Sequence, residues 1–239
     1  MARWRMRRTL VAGLVLLFAL LGGTASSAQP GRDGSGACSP GVHVLQVGSG
    51  RRALMRISPG AEGGKMALVL VLHAAGGSPE DGLRALRGGW NAPGLVLVAP
   101  ATRGSAWSFG LGRGDDLPTV DHALTQAFSH CSIDRSRVGI GGFSDGATNA
   151  LSLGVRNGRL FRAIIALSPG GIEAGTRLGK PRIFVAHGTR DGVHPFAGTR
   201  DALVPKLRRE GYAVTFRAFV GGHVVPAPVS RAAVSWFLG

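Results

Sequence analysis

The chain has 239 residues, enough for one domain with a sizeable core, and its 44% hydrophobic and 17% charged content excludes a disordered polyelectrolyte. The formal charge is +15; Arg3, Arg5, Arg7 and Arg8 supply four of those charges, leaving +11 on residues 29–239. That balance suits an anionic surface or substrate, but no run of clustered Lys/Arg with interleaved aromatics follows the leader, which argues against a nucleic-acid-binding module.

Residues 1–28 read as a secretory signal peptide, with an arginine-rich start, an apolar stretch from Leu10 to Leu21 and small residues before a cut after Ala28 or Ala25. The apolar stretch is short for a membrane span, although an uncleaved anchor is the alternative. The chain is therefore expected to be secreted or periplasmic. Residues 29–40 form a linker, with 29–37 rich in Gly, Ser and Asp, and residues 41–239 form one domain.

Val42–Val47 and Ala53–Ile57 are short β-type runs separated by Gly48-Ser49-Gly50, which predicts an antiparallel hairpin. Met66–Leu72 (MALVLVL) is continuously apolar, as in a parallel strand buried on both faces. His73-Ala74-Ala75-Gly76-Gly77 follows, and Ser78-Pro79-Glu80-Asp81 opens a helix. Leu95–Ala99 is the next strand. Residues 101–118 read as a Gly-rich loop containing Trp107, and Thr119–Ser129 as a helix.

Arg137–Leu151 (RVGIGGFSDGATNAL) reads as strand, tight turn and helix, with Gly142, Ser144 and Gly146 in the G-x-S-x-G pattern of a nucleophile elbow. A Cβ two residues to either side of the serine would collide with the crossing chain, which explains both glycines. Beyond it, Ala163–Leu167 and Arg182–Ala186 are buried-type strands. Ala197–Glu210 reads as a helix capped by Gly211, Ala213–Phe219 as the last strand and Val229–Leu238 as a closing helix. Strands alternating with helices predict an α/β fold with a mostly parallel sheet covered on both faces.

Catalytic groups in such sheets collect at the carboxyl ends of the strands, where His73, Ser144, His187, Asp191 and His223 fall. A serine hydroxyl needs a base, and the base needs a group that fixes its tautomer. Asp191 in HGTRDGVHP and His223 in VGGHVVP supply these types in the order Ser, Asp, His. His194 competes with His223 for the role of base, and Asp201 with Asp191 for the acid, though Asp201 falls inside the following helix. His73 and His187 close buried strands and are expected to bond loop backbone. An oxyanion needs two preorganised donors, expected to be the N–H groups of Asp145 and Ala75. No H-x-x-E-H, HExxH or Cys/His spacing is present, so neither a metal nor another cofactor is expected.

The motifs LHAAGG, RVGIGGFSDGATNALSLG, ALSPGG, HGTRDGVHP and GGHVVP, spread from about Lys65 to the C-terminus, resemble the phospholipase/carboxylesterase branch of the α/β-hydrolases. Within that branch the chain is similar to dienelactone hydrolase and poly(hydroxyalkanoate) depolymerase-like esterases. The resemblance implies a serine hydrolase with Ser144 as nucleophile, Asp191 as acid, His223 as base, and Ala75 and Asp145 as oxyanion amides. One departure is His73-Ala74, where the family usually has His-Gly; a positive φ at that position would be strained by alanine.

The implied activity is cleavage of a small-molecule or polymer-linked ester. A peptidase or acyltransferase would use the same triad, and a non-catalytic binding protein could keep the fold. Trp107 and Phe109 are candidates either for the substrate pocket or for core packing. Cys38 and Cys131 are the only cysteines, and export would place them in an oxidising compartment, where they are expected to pair. The interval Ser168–Pro181 is too short, glycine-rich and polar to form a helical lid.

Overall fold

A computed structural model describes residues 38–48, 50–60, 64–109 and 115–239. The expected signal peptide and the linker as far as residue 37 lie outside the described residues. So do residues 110–114 of the Gly-rich loop. Among the described residues no helix is long and apolar enough to cross a membrane.

Eight strands form one sheet: β1 (Gly41–Gln46), β2 (Arg52–Ile57), β3 (Met66–Leu72), β4 (Leu95–Pro100), β5 (Ile133–Phe143), β6 (Ala163–Leu167), β7 (Arg182–Gly188) and β8 (Val214–Phe219). Their order is β1-β2-β4-β3-β5-β6-β7-β8. The predicted hairpin is present, with Val42 opposite Arg56 and Val44 opposite Leu54. β2 also runs antiparallel to β4, and every later pairing is parallel.

The helices are α1 (Pro79–Ala85), α2 (Leu117–His130), α3 (Asp145–Arg156), α4 (Val204–Arg209) and α5 (Ala227–Leu238). The pleat sends alternate residues of β3 to opposite layers. Leu68, Leu70 and Leu72 belong to the apolar layer that includes α2, α3 and α4; Ala67, Val69 and Val71 belong to the one that includes α1 and α5. Every β3 residue is buried, which is why its sequence shows no alternation.

Most elements depart from the sequence expectation by one or two residues at an end, and three of the departures have a plain local cause. α2 starts two residues early, at Leu117, because Pro118 suits a first helical turn, where its missing N–H is no loss. The expected helix over 197–210 is a wide π-type turn, Gly198–Leu203, followed by α4. Pro205 in α4 cannot donate to the preceding turn, so a regular α ladder is broken there. β5 begins at Ile133, since a register irregularity lets Ile133 pair with Met66 before Val138 pairs with Leu68.

Cys38 and Cys131 form a disulfide, with Cα atoms 5.1 Å apart. It ties the chain ahead of β1 to the end of α2. Ser168–Pro181 contains no helix, so nothing lid-like stands between β6 and β7.

Candidate active site

Ser144 joins β5 to α3 with φ 58° and ψ −121°, a conformation costly for a residue with a side chain. The surroundings hold it there. Its N–H donates to Leu167 O at 3.0 Å, and its carbonyl accepts from Ala147 and Thr148. A Cβ on Gly146 would overlap the carbonyl oxygens of Leu72 and His73, and one on Gly142 would overlap Gly146 itself. β3 and the elbow therefore touch backbone to backbone, and both glycines are required for it.

Asp191 lies three residues beyond β7 and is buried. Its Oδ1 accepts the N–H groups of Val193 and His194, both at 2.9 Å. Its Oδ2 accepts from His223 Nδ1 at 2.8 Å. The opposite ring nitrogen, Nε2, lies 2.8 Å from Ser144 Oγ. A carboxylate, an imidazole and a hydroxyl are thus joined in line by two short bonds. Burial alone would raise the Asp191 pKa, but the hydrogen bonds from His223, His194 and Val193 outweigh it and lower the value to about 2. The carboxylate is ionised at any pH where the imidazole could act as a base.

His194 stands beside this line without joining it. Its ring centroid is 5.2 Å from that of His223, edge to face. Burial lowers its pKa, with the neighbouring His223 adding to the effect, so it favours the neutral form. Asp201 pairs with Arg200 at the surface. His187 hydrogen-bonds His194 O at 2.8 Å through Nε2, which is also 3.3 Å from Asp191 Oδ2, and so backs the aspartate loop. His73 bonds Ala74 O through Nδ1 at 2.8 Å.

Two main-chain amides, those of Asp145 and Ala75, are the expected oxyanion donors. Asp145 is the first residue of α3, so its N–H has no acceptor within the helix. In the turn after β3, Gly76 N–H is taken by Ser105 O and Gly77 N–H by Ala74 O, while the Ala75 N–H has no hydrogen-bond acceptor among the described residues. Ala74 does not adopt a positive φ; among the described non-glycine residues only Ser144 and Ser168 do. The left-handed position falls at Gly76, with φ 71°, so alanine at 74 carries no strain.

Trp107 is buried in the core and stacks on Phe109, ring centroids 5.8 Å apart. Its indole N–H donates to His73 O at 2.8 Å, and its own backbone N–H donates to Asp145 Oδ2 at 3.1 Å. The Asp145 carboxylate is held in turn by Asn149 Nδ2. Farther out, the fully buried Asp116 gathers Thr102 Oγ1, Arg103 N–H and Ser108 N–H. Sequence reasoning missed both carboxylates as loop anchors. Asp145, next to the serine, and Asp116, ahead of a Leu-Pro helix start, were the available signals.

A cleft of about 350 Å³ opens beside His194, lined by Pro169, Gly170, Ile172, Thr199 and Lys206 among others. It is mainly apolar, with the Lys206 ammonium as its one cation.

This sheet order and site define the α/β-hydrolase fold. Solved structures of that fold superpose on most of the chain. Esterase PE8 matches with a TM-score of 0.62 and 25% identity over 77% of this chain and 96% of its own. A carboxylesterase from Bacillus cereus gives 0.61 and 19%, covering 80% of this chain and 95% of its own. Among curated proteins, the probable feruloyl esterase C of Aspergillus flavus is 33% identical over 105 residues, which is 43% of this chain. The chain spans only 38% of that relative's length. No family model matches. The resemblance to the esterase branch of the α/β-hydrolases therefore rests on fold neighbours and on a partial sequence match.

Proposed function

We propose that this protein hydrolyses carboxylic esters through an acyl-enzyme on Ser144. The observation that carries the reading is the unbroken line Asp191–His223–Ser144, with 2.8 Å at each junction. Ser144 Oγ attacks the ester carbonyl carbon while His223 Nε2 takes its proton. Asp191, ionised and fixed by two backbone amides, stabilises the imidazolium that forms. The tetrahedral oxyanion sits between the N–H groups of Ala75 and Asp145. Collapse breaks the ester C–O bond, and His223 returns the proton to the leaving alcohol. A water then gives a proton to His223 as it attacks the acyl carbon; the acyl C–Oγ bond breaks, His223 returns that proton to Ser144 Oγ, and the acid leaves.

Esters, rather than peptides, are supported by the names of the sequence and fold relatives. An extracytoplasmic location is supported by the Cys38–Cys131 disulfide and by the leader-like start of the sequence. The site works as an open cleft, since Ser168–Pro181 carries no helix to cover it. Soluble esters, or the exposed end of a polymer-linked one, reach Ser144 directly.

A series of p-nitrophenyl esters from acetate to palmitate, with the matching anilides, tests this reading. Saturable turnover that falls with acyl length, shows no jump at the solubility limit and leaves the anilides intact is the expected result. Preference for anilides, or for long-chain emulsions, contradicts it.

A further inference from the structure

The end of the sheet opposite Ser144 is unlike the rest of the surface. The starts of the parallel strands β3, β5, β6 and β7 lie side by side in the sheet. Each carries a cation: Lys65 just before β3, Arg135 and Arg137 in β5, Arg162 just before β6 and Arg182 opening β7. With neighbouring strands about 4.8 Å apart, these four starts make a row about 15 Å long. The α3–β6 turn adds Arg159, the approach to β7 adds Arg177 and Lys180, and the end of α4 adds Arg208 and Arg209.

Among the described residues, these ten cations accompany two side-chain carboxylates, Asp134 and Glu210, whereas the rest hold twelve cations and nine carboxylates, with Arg156 at the end of α3 already paired to Glu173. The two acids are already engaged. Asp134 accepts from Ser136, and Glu210 pairs with Arg177 at 2.8 Å.

Part of the row is structural. Arg182 donates to Trp236 O and Phe237 O, and Arg137 to Leu238 O, so both cap the end of α5. Lys65, Arg159, Arg162 and Arg209 are exposed, and their side chains make no hydrogen bond or ion pair among the described residues. Such a concentration of like charge works against the fold unless something outside neutralises it.

We infer that this pole is a docking surface for a linear polysaccharide bearing carboxylates. The cations are mostly arginine, whose planar fork accepts a carboxylate on two parallel N–H bonds. The strip is extended, as a polymer chain is. Other polyanionic partners fit less well. The pole's aromatic rings are covered by cations: Arg135 on Phe128, Lys180 on Tyr212 and Arg182 on Trp236, each at 4.5 Å. Among the described residues there, a base would have to displace a cation to stack on any of these rings. The exposed large apolar residues (Val42, Val44, Val193, Val220 and Val224) all lie elsewhere, so the pole has no wedge to enter a bilayer. Docking here leaves Ser144, about 20 Å away along the strands, facing outward.

The test compares two charge-matched variants of the full protein. One replaces Lys65, Arg159, Arg162 and Arg209 with Gln. The other replaces Arg87, Arg103, Arg190 and Arg217, exposed residues outside the pole, with Gln. Binding to polygalacturonate, phosphatidylglycerol vesicles and duplex DNA is measured at low salt, with circular dichroism to verify folding. The first variant should bind polygalacturonate at least about tenfold more weakly than the unsubstituted protein, and the second less than about threefold more weakly. Turnover of a soluble ester is read in parallel and should not change in the first variant, which separates docking from the proposed chemistry. Equal losses in both variants would reduce the effect to net charge and overturn the proposal. So would absence of binding to polygalacturonate, or tighter pole-dependent binding to vesicles or DNA.

Discussion

The indole N–H of Trp107 donates to the backbone carbonyl of His73 across 2.8 Å, joining the loop after β4 to the turn that presents the Ala75 amide. The same loop reaches that turn again through Ser105 O and Gly76 N–H, and reaches the elbow through Trp107 N–H and Asp145. Both proposed oxyanion donors are therefore positioned by one loop. Trp107→Phe keeps most of the ring packing but removes the indole donor. It should lower kcat by about tenfold while KM changes by less than about twofold, because a misplaced donor costs stabilisation that arises only in the transition state. Steady-state kinetics on a short-chain ester checks this; a change confined to KM would make Trp107 a substrate-binding residue.

His223 and His194 should separate sharply on substitution. His223→Ala removes the group bonded to both Ser144 and Asp191 and should lower kcat by at least about 10⁴-fold. His194→Ala should cost less than about tenfold, seen mainly in KM, since its ring borders the adjacent cleft. The reverse ranking would move the base to His194.

Asp191 sets an acid limit. Its pKa falls from 3.8 to about 2 on folding, so the unfolded state binds the proton more readily. The stabilisation is complete above about pH 4 and is lost as pH falls through 3.8 towards 2. In Asp191→Asn this component disappears. Chemical-denaturation curves between pH 5 and pH 2 should therefore fall less steeply with acid in the variant. Parallel curves would mean that the carboxylate is not held as described.

The disulfide closes a separation of 93 residues. In the chain-entropy account, cross-linking so long a loop restricts the unfolded chain and stabilises the fold by roughly 4–5 kcal/mol. Cys38→Ala with Cys131→Ala should lower the unfolding free energy by up to about that amount. Alkylation and intact-mass measurement on non-reduced protein provides the independent check, with no reactive thiol expected.

The strands were the most legible part of the chain. β3 and β6 lie on their expected bounds because each is an unbroken apolar run buried on both faces. Ser144, Asp191 and His223 could be named because each follows a recognisable strand, and the fold brings those strand ends together. Partnerships made across the fold were not legible. Trp107 could be read as pocket or core, since nothing local reveals that its N–H meets His73. The polar start of β5, Ile133–Arg137, resembles a loop until its pairing with Met66 is known. The π-type turn before Pro205 likewise has no periodic signal of its own. The basic pole emerges only from strand order, because Lys65, Arg137, Arg162 and Arg182 are far apart in sequence.

The central claim is that Ser144 is the nucleophile, and covalent labelling tests it most directly. A fluorophosphonate probe incubated with the folded protein should add one phosphonyl group. Peptide mapping should locate it on the Ser144 peptide, and Ser144→Ala, still folded by circular dichroism, should take up none. An unlabelled protein, a label on another residue, or undiminished ester turnover by Ser144→Ala would contradict the account.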